Sequence, residues 1–308
     1  MTENQVPQEF EETPKPRIWY VLQFISLILM AIVGSGIFGV IAIYTCKWLF
    51  GVDGLEVATL KEFGTRDQLY AARYVQALSS IGAFVFASVA QLAIMGEPLV
   101  DGMGLKNKVP ARMLLLGAIL VFIMQPAISY FATWNLSWHL PASMADLESS
   151  LRALHEQAVK TQFEFVKNQT FIDFLFNLLF MAALPAFAEE LFFRRVGIQI
   201  IFSFTRNAHV SIVISALLFA LIHGQFFYLV PLFLFGIVLG YLALWSRSLW
   251  LPVLAHFVNN ALTVTLTYFS NDPNADEMDL GSPFLIMLLS ISLSNFILLQ
   301  LKKRQIQD

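Results

Sequence analysis

Apolar residues along this chain come in long unbroken runs, not in the three-to-four spacing of a helix with one wet face. A helix needs about 20 apolar residues to cross a bilayer. Eight stretches approach that scale: 19–45, 76–96, 112–133, 171–193, 208–223, 226–245, 249–269 and 283–301. The fifth is short, and the fourth can continue through the apolar residues 196–204. The first run follows a polar tail and is too long for a signal-peptide core, so it is expected to be retained. The connection 134–170 reads differently. Leu147, Leu151, Leu154 and Ala158 recur at near-helical spacing within Met144–Gln162, which predicts a helix on the membrane surface or capping the bundle. His139 and His155 lie there without a carboxylate constellation and read as exposed loop histidines. The expected fold is all-α, a polytopic membrane bundle of about eight transmembrane helices. Its expected parts are a cytoplasmic tail over 1–18, N-terminal spans with the long connection over 19–169, a core over 170–268, and a last span with its tail over 269–308.

Composition narrows the class. The chain is 57% hydrophobic and 13% charged, where a soluble domain carries about 25% charged residues. Its mean hydropathy is +0.66, and it holds 29 Phe. A disordered chain and an ordinary cytosolic enzyme are excluded. The net charge of -3 provides no basic stripe, so no nucleic-acid partner is expected. The single cysteine, Cys46, excludes an intrachain disulfide, a Cys-rich zinc site and an iron–sulfur cluster, and reads as an inert thiol. With eight spans and the N-terminus inside, the inner connections hold Lys15, Arg17, Lys106, Lys108, Arg112, Arg194, Arg195, Arg206, Arg247, Lys302, Lys303 and Arg304. The remaining Lys and Arg sit in two long connections, 46–75 and 134–170, and Asn271–Glu277 is acidic. That asymmetry predicts cytoplasmic N- and C-termini. The expected location is the bacterial plasma membrane. Gly236 and Gly240 form a small-xxx-small pair that suits close helix packing, inside one copy or between two, and the oligomeric state is left open.

Ionisable groups inside spans cost about 2.5–3.5 kcal/mol each on insertion scales, so those present are candidates for function. Glu189 and Glu190 end an apolar run. Adjacent helical residues point about 100° apart, so the two carboxylates cannot share one role. Glu190 stands four residues before Arg194, the favourable order for an ion pair. Glu189 then faces elsewhere without a local cation, where an apolar setting suits a general base. His223 follows Phe219 by one turn. His256 and Asn260 are also one turn apart and project from one face, an arrangement suited to an oxyanion hole or to a metal ligand with a polar neighbour. Asn259 points away by about 100°.

Taken together, Glu-Glu-x3-Arg, Phe-x3-His and His-x3-Asn in that order resemble the motifs of the CAAX-processing and bacteriocin-processing (CPBP/Abi) intramembrane protease family, to which the Ras-converting prenyl-protein endopeptidase belongs. The resemblance covers about 170–268. It implies an eight-helix membrane endopeptidase whose partners are the lipid bilayer and a membrane-associated peptide or protein substrate. By resemblance, Glu189 and His223 would activate a water, His256 and Asn260 would stabilise the oxyanion, and Glu190 and Arg194 would support them. The family has been described both as metalloproteases and as glutamate proteases. A zinc ion held by Glu189, His223 and His256 with an open fourth position, and a metal-independent mechanism, therefore both stand as expectations. A transporter or channel lining a pathway with the same residues is the leading rival, but the chain halves show no internal symmetry. A non-catalytic scaffold or immunity protein would tolerate loss of a motif residue, and all are present. Helix-length counting puts His223 and His256 at different depths, so the site closes only if helices tilt or break. Pro185 is the expected kink.

Overall fold

In hydrocarbon a helix satisfies every backbone N–H and C=O within its own segment, and the apolar runs of this chain become helices. The computed structural model describes residues 16–60, 62–167, 170–272 and 283–305. Its main helices are α1 (Arg17–Phe50), α2 (Arg66–Met95), α3 (Ala111–Leu136), α4 (Ala145–Val166), α5 (Phe171–Thr205), α6 (Ala208–Ile222), α7 (Phe226–Ser246), α8 (Trp250–Ser270) and α9 (Pro283–Gln305). No strand occurs among the described residues. The molecule is an all-α polytopic membrane bundle. Six helices, α1, α2, α3, α5, α7 and α9, are long and apolar enough to cross a membrane. The other two of the expected eight exist as helices, but α6 has only 15 residues, and α8 is diluted by His256, Asn259, Asn260 and several threonines. The expected tail before residue 16, and the acidic connection beyond Asp272, lie outside the described residues.

Local chemistry sets the ends. Gly51, in a left-handed conformation at φ 73°, stops α1 at Phe50. A capping box between Thr65 and Gln68 starts α2 at Arg66. The connection expected over 46–75 is therefore much shorter, because helices occupy both of its ends. Cys46 is buried there beside Val57 and Ala71, as an inert thiol should be. Arg194, counted with the inner connections from sequence, is buried in the bundle instead. A polar guanidinium near a helix end looks like a loop charge until its partner is known.

Two large cores divide the bundle, beside smaller clusters around Cys46 and Phe165. Leu27 of α1, Ala87 and Leu92 of α2, Phe193 and Ile200 of α5 and Phe219 of α6 form one. Leu120 of α3, Leu239 and Leu242 of α7, Leu251 of α8 and Leu301 of α9 form the other. Close backbone approach tightens the first: a Cβ on Gly82 would lie 2.2 Å from the Gly34 carbonyl oxygen, so both crossing positions need glycine. Gly236 and Gly240 close against Ala216 and Ile212 of α6, so that pair packs inside one copy. The amphipathic helix expected at Met144–Gln162 is α4, slightly longer, and it caps the bundle.

Helix α5 is not uniform. Two segments, Leu178–Ala183 and Leu191–Gly197, are wound as π-helix. Pro185 has no N–H to offer the carbonyl four residues earlier, and the chain absorbs this in the wider turn just before it. At the expected kink the helix continues, with π turns on either side of Leu184–Glu190.

Candidate active site

The site forms at the seam between the two cores, where α5, α6, α7 and α8 meet. Glu190 is fully buried, and its Oε2 lies 3.1 Å from Arg194 Nε, the i,i+4 pair expected from sequence. Its Oε1 accepts a hydrogen bond from His256 Nδ1 at 2.9 Å. A carboxylate paired with a guanidinium can only accept, so the imidazole donates from Nδ1, and in the neutral tautomer Nε2 keeps its lone pair. That Nε2 faces Glu189 Oε2 at 3.9 Å. Glu189 Oε2 is itself buried and makes no hydrogen bond.

Aromatic rings fix this cluster. Phe219 lies 4.4 Å beneath the Arg194 guanidinium and edge-on to His256, with ring centres 5.8 Å apart. Phe235 from the other core meets His256 in the same way at 5.7 Å. Phe219 also packs on His223, whose Nδ1 donates to the Phe219 carbonyl at 2.7 Å. This again leaves the Nε2 lone pair of the neutral ring unused. The spacing Phe-x3-His thus brings Phe219 into contact with both histidines.

A cavity of about 660 Å³ opens over the cluster. Glu189, His223 and Asn260 line it; Glu190, Arg194 and His256 do not, and they pack immediately behind Glu189. Among the described residues no three His, Cys, Asp or Glu side chains gather closely enough to hold a metal ion, so Glu189, His223 and His256 are not arranged as a zinc set. Asn259, read from helical angle as pointing away, lines the cavity too. Gln125 of α3 donates to Asn259 Oδ1 at 3.2 Å, and Asn259 Nδ2 donates to Asn260 Oδ1 at 3.4 Å. The relay uses the Asn260 oxygen and leaves its NH2 group as a donor toward a ligand.

Helix α4 covers the cavity. His155, expected to be an exposed loop residue, lines the wall and stacks on Tyr228, and burial pushes its pKa below the usual value. The reason is that α4 buries the face that carries it. His139 remains exposed, yet it meets Glu148 at 3.0 Å, a carboxylate partner that the sequence reading did not give it.

Residues 171–262 match the family model of type II CAAX prenyl endopeptidases, Rce1-like. The match spans just under a third of the chain and contains all six of Glu189, Glu190, Arg194, His223, His256 and Asn260. Over those residues the chain is similar to that family. Comparison with curated proteins and with solved structures gave no match.

Proposed function

We propose that this protein is an intramembrane endopeptidase that cleaves membrane-associated peptides by water attack, with Glu189 as the general base. One observation carries the reading: a carboxylate on a cavity wall keeps an unbonded oxygen, and a buried Glu190–Arg194–His256 network fixes it from behind.

A water held between Glu189 and the His223 Nε2 lone pair would attack the scissile carbonyl carbon. Glu189 takes its proton as the new C–O bond forms. The oxyanion receives the free NH2 of Asn260, a donor oriented in advance by Gln125 and Asn259. Collapse of the tetrahedral species breaks the C–N bond, and the proton passes from Glu189 to the leaving amine. His256 Nε2, 3.9 Å from Glu189, is placed to accept from the carboxylic acid once it is protonated. In this mechanism His256 and the Glu190–Arg194 pair position the base rather than touch the substrate. The apolar wall, including Phe180, Leu184, Leu232 and Phe235, suits a substrate with apolar side chains.

Glu189→Gln keeps the shape of the side chain and removes its basicity. In proteoliposomes it should abolish cleavage of wild-type substrates, identified by comparing membrane proteomes, while the unfolding temperature stays unchanged. Wild-type rates in this variant would sink the assignment. Zinc analysis of the active protein tests the metal reading in parallel: stoichiometric zinc that disappears in His256→Ala would favour a metal centre over proton transfer alone.

A further inference from the structure

The same cavity has a second polar end. Arg73, Gln76, Ala77 and Ser80 line it from one face of α2. Arg73 is only 5% exposed. Its Nη2 donates to the carbonyl of Phe165 in the last turn of α4, and Asn177 Nδ2 donates to that same carbonyl at 2.9 Å. Arg73 Nε and Nη1 are buried and make no hydrogen bond. A buried cation calls for an anion, yet among the described residues no carboxylate lies within ion-pair distance of Arg73. The adjacent acid, Asp173, is already engaged: the Tyr70 hydroxyl donates to its Oδ1, and the Thr170 N–H and hydroxyl donate to its Oδ2.

We propose that Arg73 anchors a carboxylate of the bound peptide, supplied either by the chain terminus or by an Asp or Glu side chain. The unused Nε–H and Nη1–H groups each offer a charge-assisted donor to a carboxylate oxygen. The position also sets a register. Asn177, which shares the Phe165 carbonyl with Arg73, precedes Glu189 by twelve residues of α5, roughly 18 Å at about 1.5 Å per residue. An extended peptide rising about 3.3 Å per residue covers that in about five residues. The register rests on the endopeptidase reading; the carboxylate site does not.

The test is binding to the purified full chain in detergent, read by thermal shift titration with three probes. They are an acetylated apolar hexapeptide as the free acid, its C-terminal amide, and the amide with Glu at its last position. Tighter binding of the free acid than of the plain amide, by about tenfold, is expected. A Glu-bearing amide that binds as well as the free acid assigns any carboxylate; one that binds like the plain amide assigns the chain terminus. Arg73→Gln should erase the discrimination, and Arg73→Lys should retain part of it. Equal affinities for all three probes on the wild-type protein overturn the proposal whether or not Arg73→Gln folds, as does undiminished discrimination in that variant. Glu189→Gln should still discriminate. Wild-type cleavage in Glu189→Gln with discrimination intact therefore counts against the protease reading alone.

Discussion

Glu190 holds an arginine with one oxygen and a histidine with the other, and neither partner has a second carboxylate as close. Glu190→Gln leaves the Arg194 charge buried without its counterion, and breaking a buried pair costs about 3–5 kcal/mol. The expected result is a much lower unfolding temperature or loss of folded yield, which equilibrium unfolding in detergent measures. Unchanged stability would refute the pairing. Asn260→Ala should act on chemistry instead: kcat should fall by about 10²–10³, as for loss of one oxyanion donor. KM should barely move, because the bond strengthens in the transition state. A change confined to KM would make Asn260 a substrate-binding group. The Glu190–Arg194 contact was legible in the sequence because it lies within one helical turn. Asn259 was misread because its orienting partner, Gln125, lies 134 positions away and leaves no local trace.

At the scale of elements, the cap over the cavity is clamped at its N-terminal half. Arg152 on α4 donates to Glu148 Oε1 at 2.9 Å and to the Trp138 carbonyl at 2.8 Å, and it lies 4.1 Å over the Phe227 ring. The Leu140 N–H donates to Glu148, and this bond, with Arg152, holds the Glu148 carboxyl down at about 2. A depressed carboxylate favours the folded clamp at every pH above its ordinary value of 4.5, and that preference is lost as pH falls toward about 2. Hydrogen exchange at the Leu140 amide, corrected for intrinsic rates, should therefore stay constant from pH 7 to near 4.5 and accelerate below. Acceleration already between pH 7 and 6 would implicate a group other than Glu148. The existence of α4 was legible from near-helical apolar spacing, but the stripe so marked is not its buried face: Leu147 and Leu154 are exposed, and burial falls on Glu164, Phe165 and Val166. What that face covers was not, because spacing carries no information about the facing element. The π turns of α5 were equally hidden: Pro185 signals a disturbed ladder but not how the chain absorbs it.

For the whole molecule, most groups that line the cavity lie toward the end of the bundle that carries the connections 137–144 and 223–225, while Glu189, Asn259 and Asn260 sit at mid-helix. Arg17, Lys106, Arg206, Arg247 and Lys302 gather at the opposite end, in or beside short connections, and the positive-inside rule predicts that this end is cytoplasmic even with Arg194 removed from the count. On that expectation the cavity opens away from the cytoplasm. Tags at Met1 and after Asp308 should report cytoplasm, and a thiol introduced as Leu154→Cys, at a residue 58% exposed on α4, should react with an impermeant maleimide from outside intact cells. Cys46, fully buried, should add no background. Labelling only after lysis would invert the topology.

The ion pair inside α5 also bears on how the protein is made. Glu190 and Arg194 meet within a single turn, so the two charges neutralise one another as soon as that segment coils, with no help from any other helix. α5 can thus enter the bilayer with this pair already neutralised while α6 to α9 are still unsynthesised. His256 arrives 62 residues after Arg194 in the order of translation, and only then does Glu190 acquire its second partner. Until α8 has docked, the nascent chain holds Glu189 without the histidine that faces it, and the proposed hydrolase is delivered to the membrane inactive.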